Sequence, residues 1–174
     1  MCLSDLIKRW RKRRRDKIYE GPCEDGGTRI SNDTDAPKEI ISRELIRFSC
    51  RFCSISLMDE TRILGGMYHF SADKTEDGVS MSVDCNNPRV LDGELTKMRP
   101  DSFMEKLEAI LRKYDVAQYN GKYYKVSGLP NFYGASVDAE YASGETLYCY
   151  NNQDPFLPVE MILELCRLFG IDKK

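Results

Sequence analysis

The sequence has a single histidine, His69, and this scarcity excludes a histidine-rich metal site. A Ser-His-Asp or Cys-His relay would have to use His69, and no G-x-S-x-G nucleophile motif accompanies it. The chain also has no Walker A motif and no G-x-G-x-x-G after a predicted strand, which removes common routes to nucleotide chemistry. No apolar run is long enough to span a bilayer, and no secretory signal pattern is present. We therefore predict no cofactor and no metal.

Seven cysteines are present, but their odd number and irregular spacing differ from those of a secreted disulfide framework. Cys50 and Cys53 form a C-x-x-C pair, whereas a zinc ribbon would need a second pair. Because the flanking sequence alternates as a strand does, the two thiols should point to opposite faces. We expect buried, reduced thiols, with a redox or metal role as the alternative.

Charge is divided unevenly along the chain. Residues 1–20 carry eight basic and three acidic side chains, a net charge of +5, whereas the remainder carries 18 basic and 25 acidic ones, a net charge of −7. A basic arm on an acidic body can dock on an anionic surface or fold back onto the body. The chain is accordingly divided into an arm (1–19), a linker (20–38) rich in Gly, Asp, Asn, Ser and Pro, and a single domain (39–174).

The arm has the pattern of an amphipathic helix. Four apolar residues have the i, i+3, i+4, i+7 spacing of one helical face: Leu3, Leu6, Ile7 and Trp10. Basic residues mostly cover the other faces, so Trp10, Arg13, Arg14 and Arg15 are the candidate binding residues of the arm. Such a helix can lie in an anionic membrane interface or bind a protein partner. Its alternatives are a helix packed on the body and nucleic-acid binding, and the acidic body disfavours the latter.

The rest of the sequence predicts short strands and two amphipathic helices. Strands are expected in six segments: about 43–58, 66–73, 78–85, 122–126, 135–142 and 145–150. One helix should begin at a capping box formed by Ser102 and Glu105, and a second should run from Pro158 to a Gly170 stop. Residues 86–100 and 127–134 are expected to be loops.

A short internal similarity accompanies these elements. Residues 66–114 and 134–169 each have the order β-β-loop-α, which indicates either a duplication or convergent turn chemistry. The predicted fold is therefore α+β, an antiparallel sheet with two helices on one face. The prediction includes a β-β-α duplication as an option and a basic N-terminal helix before the sheet.

Two groups of residues are candidates for function in the body. Aromatic side chains crowd between residues 119 and 150, and the 127–134 loop can present Phe132 and Tyr133 beside Asn131 as a binding patch. Ordinary strand packing is the alternative, because tyrosine also has high β-propensity. The carboxylates of Asp84, Asp138 and Glu140 lie on predicted strands, where such groups either act as acid and base or face solvent.

The stretch Gly128–Asn152, with the preceding Lys113-Tyr114-Asp115 and Asn120-Gly121, resembles a group of uncharacterised bacterial proteins. The resemblance extends over about 41–169 and does not include the arm. It implies a bacterial cytosolic or cell-envelope context, and no activity or site residue carries over from it.

Together, these features predict a non-enzymatic interaction module that its arm recruits to an anionic surface. Its expected location is the cytoplasm, with peripheral attachment to a membrane as an option. The alternatives are a hydrolytic enzyme that uses Asp84, Asp138 and Glu140, and a nucleic-acid-associated protein.

Overall fold

A computed structural model describes residues 28–54, 65–91, 93–126 and 134–171. Within these ranges the chain forms one eight-stranded sheet, two α-helices and a 3₁₀ helix. The strands are β1 (Thr28–Asn32), β2 (Leu45–Cys53), β3 (Met67–Thr75), β4 (Gly78–Cys85), β5 (Leu95–Arg99), β6 (Lys122–Val126), β7 (Ala135–Tyr141) and β8 (Thr146–Asn151). The helices are α1 (Ser102–Lys113), α2 (Val159–Phe169) and the 3₁₀ helix Val116–Tyr119.

The strand order is β1-β6-β8-β7-β2-β3-β4-β5, so that β1 and β5 form the two edges. Neighbouring strands pair antiparallel except for β6 and β8, which run parallel. The α+β prediction with a mainly antiparallel sheet and two helices is therefore confirmed.

One face of the sheet carries both helices because apolar residues alternate along the central strands. In β2, Phe48, Cys50 and Phe52 are buried, whereas Arg47 and Arg51, at alternate positions on the other face, are exposed. The same alternation buries Val137 and Ala139 in β7 and leaves Asp138 on the opposite face. The sheet thus has a helix face, defined by the side of Phe48, and an open face, defined by the side of Arg47.

Phe169 at the end of α2 joins the layers of the core. Its ring stacks on that of Phe70 in β3, with the centroids 4.6 Å apart, and contacts Phe103 of α1 edge-on at 5.2 Å. It also lies 6.3 Å from the ring of Phe48 in β2. One fully buried side chain therefore links two strands and both helices.

The end of α2 follows the predicted stop signal. Gly170 has φ +79°, a left-handed conformation that glycine adopts at little cost. This conformation lets the Ile171 N–H donate to the Cys166 carbonyl at 2.8 Å, which satisfies a carbonyl of the last turn.

The structure differs from the sequence-based expectation in several elements. Residues 86–100, expected as a loop, contain β5, and the segment expected as a linker contributes β1. Both strands are short and lie at an edge, so that only one side pairs and their hydrophobic alternation is weak. The expected capping box is also wrong, since Asp101 is the N-cap residue of α1 and makes no side-chain cap hydrogen bond.

Two further expectations concern the overall plan. The structure does not support the duplication, because β5 follows the first hairpin and has no counterpart after β8. The predicted N-terminal helix lies outside the described residues, which begin at 28. No helix within the described part of the chain is long and apolar enough to cross a membrane.

We predict that Phe169→Ala lowers the free energy of unfolding by about 3–5 kcal/mol, because it leaves a cavity where two strands and two helices meet. Urea denaturation followed by circular dichroism measures this loss. Met98→Ala is the control, since Met98 is 54% exposed and its truncation should change stability by no more than about 0.5 kcal/mol. Equal stabilities of the two variants would show that Phe169 does not join the layers.

Candidate ligand-binding site

The helices cover the helix face unevenly. Helix α1 packs on β2 and α2 packs on β4, whereas the 3₁₀ helix lies against β8. The edge pair β1 and β6 extends beyond these elements on the same face. A cavity of about 290 Å³ opens there, close to the lower limit of the roughly 300–1,000 Å³ typical of ligand pockets. We call it the ring cavity; it is lined by Ile30, Asn32, Tyr119, Lys122, Tyr123, Tyr124, Cys149, Tyr150, Asn151, Asp154 and Phe156.

Aromatic and aliphatic groups form the walls of the ring cavity. The rings of Tyr119 and Phe156 contact each other with centroids 5.1 Å apart. Ile30 of β1 is the cross-strand partner of Tyr124 in β6, so their side chains lie together on the helix face. Ile30 is 67% exposed, which makes it an apolar side chain that the described residues leave uncovered. These walls suit a flat, ring-bearing group.

Polar groups of both charges lie at the same cavity. The Lys122 ammonium sits over the Tyr119 ring, 5.0 Å from its centroid, in a cation–π contact. Asp154 also lines the cavity, and its backbone N–H donates to the Asn151 side-chain oxygen at 3.0 Å. The cavity therefore combines apolar walls with a cation, a carboxylate and amide groups, which is the usual composition of a specific binding site.

Asn120 fixes the segment that carries Tyr119 and Lys122. Its side-chain nitrogen donates to the carbonyls of Pro37 at 3.0 Å and Thr146 at 2.9 Å. Its side-chain oxygen accepts the Tyr148 N–H at 2.8 Å. The residue is 3% exposed, and these partly buried hydrogen bonds hold one wall of the cavity in place.

Asn152 joins the two chain segments that flank residues 127–133. Its side chain exchanges two hydrogen bonds of 2.9 Å with the backbone of Val126, at the end of β6. A Cβ on Gly134 would come within 2.5 Å of the Asn152 Cα, so the chain approaches too closely there for any other residue. The ends of the predicted aromatic loop thus meet beside the strand that supplies Asn151 to the ring cavity.

The seven residues predicted from the sequence as binding residues lie outside the described ranges. They are Trp10, Arg13, Arg14, Arg15, Asn131, Phe132 and Tyr133.

The three candidate carboxylates do not converge. Asp84 lies on β4 and Asp138 on β7, and β2 and β3 separate them on the open face. Three strand spacings of about 4.8 Å put these two side chains well beyond the separation of an acid/base pair. Glu140 instead forms an ion pair of 3.5 Å with Arg47.

A serine and the histidine do meet on the open face. Ser49 Oγ and His69 Nε2 are 3.0 Å apart, and Asp84 is the cross-strand partner of His69. The next pair along these strands, Ser71 and Ser82, also shares a hydrogen bond, of 2.8 Å. Because these groups form a row on the solvent side of the sheet, they satisfy one another and do not enclose a reacting group.

The cysteines of the described residues are free and buried. Burial raises the pKa of Cys50 far above its usual value, and raises the pKa values of Cys149 and Cys166 to about 12. Such thiols stay protonated at neutral pH and are poor nucleophiles. Among the residues that the structure describes, no three His, Cys, Asp or Glu side chains group together as a metal site would require.

Comparison with protein-family models, with curated proteins and with solved structures finds no match. The resemblance to bacterial proteins therefore stays a prediction, and the site rests on its own geometry.

Sequence reasoning recognised the aromatic crowding but missed the ring cavity. Tyr119 and Tyr124 belong to the crowded segment, whereas Ile30 and Phe156 come from segments that were expected as a linker and a loop. Ile30, an isolated apolar residue between Arg29 and Ser31, is a weak signal that could have indicated β1. Nothing in the sequence indicated that β1 would pair with β6.

We predict that Asn120→Ala lowers the free energy of unfolding by about 1–3 kcal/mol, because it removes three partly buried hydrogen bonds to the backbone of Pro37, Thr146 and Tyr148. Urea denaturation measures the change. Gln118→Ala alters an exposed residue of the neighbouring 3₁₀ helix and should leave stability within about 0.5 kcal/mol of the wild type. Wild-type stability of Asn120→Ala would contradict its anchoring role.

We also predict that His69 makes stability depend on pH. Burial, and then Arg51, lower the pKa of His69 below its usual value. Below about pH 6.5 the unfolded chain therefore binds this proton more readily than the folded one, and stability falls as the pH drops towards the folded pKa. Urea denaturation at pH 7.5 and pH 5 should show a larger loss for the wild type than for His69→Gln. An equal loss in both proteins would rule out this contribution.

Proposed function

We propose that the protein is a non-enzymatic interaction module that its basic arm recruits to an anionic surface. In this proposal the ring cavity receives a ring-bearing group of a binding partner. One observation carries the proposal: the chain that leaves the arm enters the sheet as β1, and β1 supplies a wall of the ring cavity. Recruitment and binding would therefore take place at the same edge of the domain.

Charge supports the recruiting role of the arm. Residues 1–20 carry a net charge of +5 and the residues after them a net charge of −7, so an anionic surface attracts the arm and repels the rest of the chain. Each basic residue near an anionic leaflet contributes about 1 kcal/mol, which makes Arg13, Arg14 and Arg15 together worth about 3 kcal/mol. The same acidic body disfavours nucleic acid as the partner, because phosphates would be repelled outside the arm.

The geometry favours binding over hydrolysis. The separation of Asp84 from Asp138, and the ion pair of Glu140 with Arg47, leave these carboxylates without a shared substrate position. The ring cavity offers apolar and polar contacts that could recognise a ligand. Its two charged side chains, Lys122 and Asp154, are exposed, which suits binding of a ligand better than acid/base chemistry.

We predict that changing Arg13, Arg14 and Arg15 to Gln weakens binding to vesicles containing phosphatidylserine about 100-fold, the equivalent of about 3 kcal/mol. Co-sedimentation of the full-length protein at low salt measures the affinity. Moderate salt should weaken wild-type binding, and vesicles of phosphatidylcholine should not bind. The full chain is required, because a truncation to Glu39 would delete β1.

The matched control changes Arg89, Lys97 and Lys106 to Gln, which removes the same charge from exposed positions of the body. Its vesicle affinity should stay within about threefold of the wild type, since these residues lie outside the arm. An equal loss in the two triple variants would show that net charge alone controls binding. Failure of the wild type to bind anionic vesicles would refute recruitment by the arm to a lipid surface.

A further inference from the structure

We infer that the ring cavity is also an intramolecular docking site, and that its occupant is Trp10 of the arm when no anionic surface holds the arm. The inference rests on the proposed function in one respect, namely that the ring cavity accepts a ring. It adds that the arm and an external ligand compete for the same site.

Part of the apolar wall of the ring cavity is exposed to solvent. Ile30 is 67% exposed beside Tyr124, and the contacting rings of Tyr119 and Phe156 also line the cavity. An indole placed there would make ring–ring contacts, each worth about 0.5–1.5 kcal/mol beyond the area that it buries. Amide and carboxylate groups at the cavity, including Asp154, can accept the indole N–H.

Trp10 is the chemically matched group within reach. It is the single tryptophan of the chain and belongs to the apolar stripe predicted for the arm. Seventeen residues separate Trp10 from Thr28, at the start of β1, and a chain segment of that length spans at most about 60 Å. Since Ile30 lies two residues into β1, the tether ends at the wall of the cavity itself.

Tethering compensates for the small size of the site. A group held by a short linker has an effective concentration in the millimolar range, so a site that binds free indole with a dissociation constant of about 1 mM would be substantially occupied. A second copy of the chain, or a free ligand at micromolar concentration, would compete poorly with a tethered ring of the same affinity.

Charge is compatible with the same occupant. Arg9 and Arg11 flank Trp10 in the sequence, and the two charged side chains that line the cavity, Asp154 and Lys122, have opposite signs. Asp154 can attract an arginine beside a docked Trp10, whereas the Lys122 ammonium keeps its charge over the Tyr119 ring and opposes this attraction. The match of Trp10 to the cavity therefore rests on its ring and its tether rather than on net charge.

The consequence is a switch with two positions. An anionic surface that takes up the arm withdraws Trp10 and opens the ring cavity, whereas a ligand in the cavity releases the arm for the surface. Because such coupling is reciprocal, a change that weakens docking must strengthen binding to the surface.

Tryptophan fluorescence of the full-length protein without vesicles tests the docking step. Because Trp10 is the single tryptophan of the chain, all tryptophan emission comes from it. The wall variant, Ile30→Thr with Tyr124→Thr, removes apolar area and keeps residues that suit a strand. The control variant, Ile41→Thr with Met98→Thr, makes the same kind of change at residues 80% and 54% exposed elsewhere. Circular dichroism and urea denaturation establish that both variants fold.

We expect Trp10 of the wild type and of the control variant to emit at shorter wavelength than indole in water and to resist quenching by acrylamide. In the wall variant the quenching constant should rise several-fold, towards that of free N-acetyltryptophanamide. Water-like emission in the wild type would overturn the inference. Shielding of Trp10 that is equal in all three proteins would overturn it as well, because the arm would then dock elsewhere.

Vesicle binding tests the competition. The wall variant should bind phosphatidylserine vesicles about five- to tenfold more tightly than the wild type, if Trp10 is docked for most of the time, and the control variant should not. The two proposals fail separately. Vesicle binding with an exposed Trp10 would leave recruitment standing and refute docking, whereas a shielded Trp10 without vesicle binding would leave docking standing and refute recruitment.

Discussion

The contact of Phe169 with Phe70 is the interaction on which the arrangement of layers depends. The stacked rings, with centroids 4.6 Å apart, hold the end of α2 against the middle of the sheet. Phe103 packs edge-on against the same ring, so the position of α1 follows from that of α2. Because the protein interior is densely packed, one ring shared by four elements fixes their distances more closely than separate pairs would.

This packing also determines which part of the helix face the two helices leave uncovered. The helices meet over β2, β3 and β4, and an eight-stranded sheet is too wide for two helices to cover. Among the described residues, the uncovered part of the helix face falls at β1 and β6, where the 3₁₀ helix and the segment before α2 reach the ring cavity. The ring cavity is therefore a consequence of unequal layers: its rings come from the strands, from the 3₁₀ helix and from the segment before α2.

The proposed roles of the arm and of the ring cavity complement each other. A charged arm alone would attach the domain to a surface without giving it a second activity, and a small cavity alone would bind its ligand weakly. If the proposed docking holds, their connection through β1 makes each one sensitive to the other. A surface could then control access to the cavity without any change in the sheet, because a competitor on a tether needs only to be removed.

The sequence by itself determined the α+β class, the helix α2 with its Gly170 stop, and most central strands, because alternation and turn chemistry are local properties. It also located the division of charge between arm and body. Only the tertiary structure decided that β1 and β5 are strands, that β6 and β8 run parallel, and that Asp84 and Asp138 lie apart. Likewise, Ile30 and Phe156 were brought to one cavity by contacts between distant segments. Edge strands and cavities arise from pairing across the chain, and no local pattern encodes such a pairing.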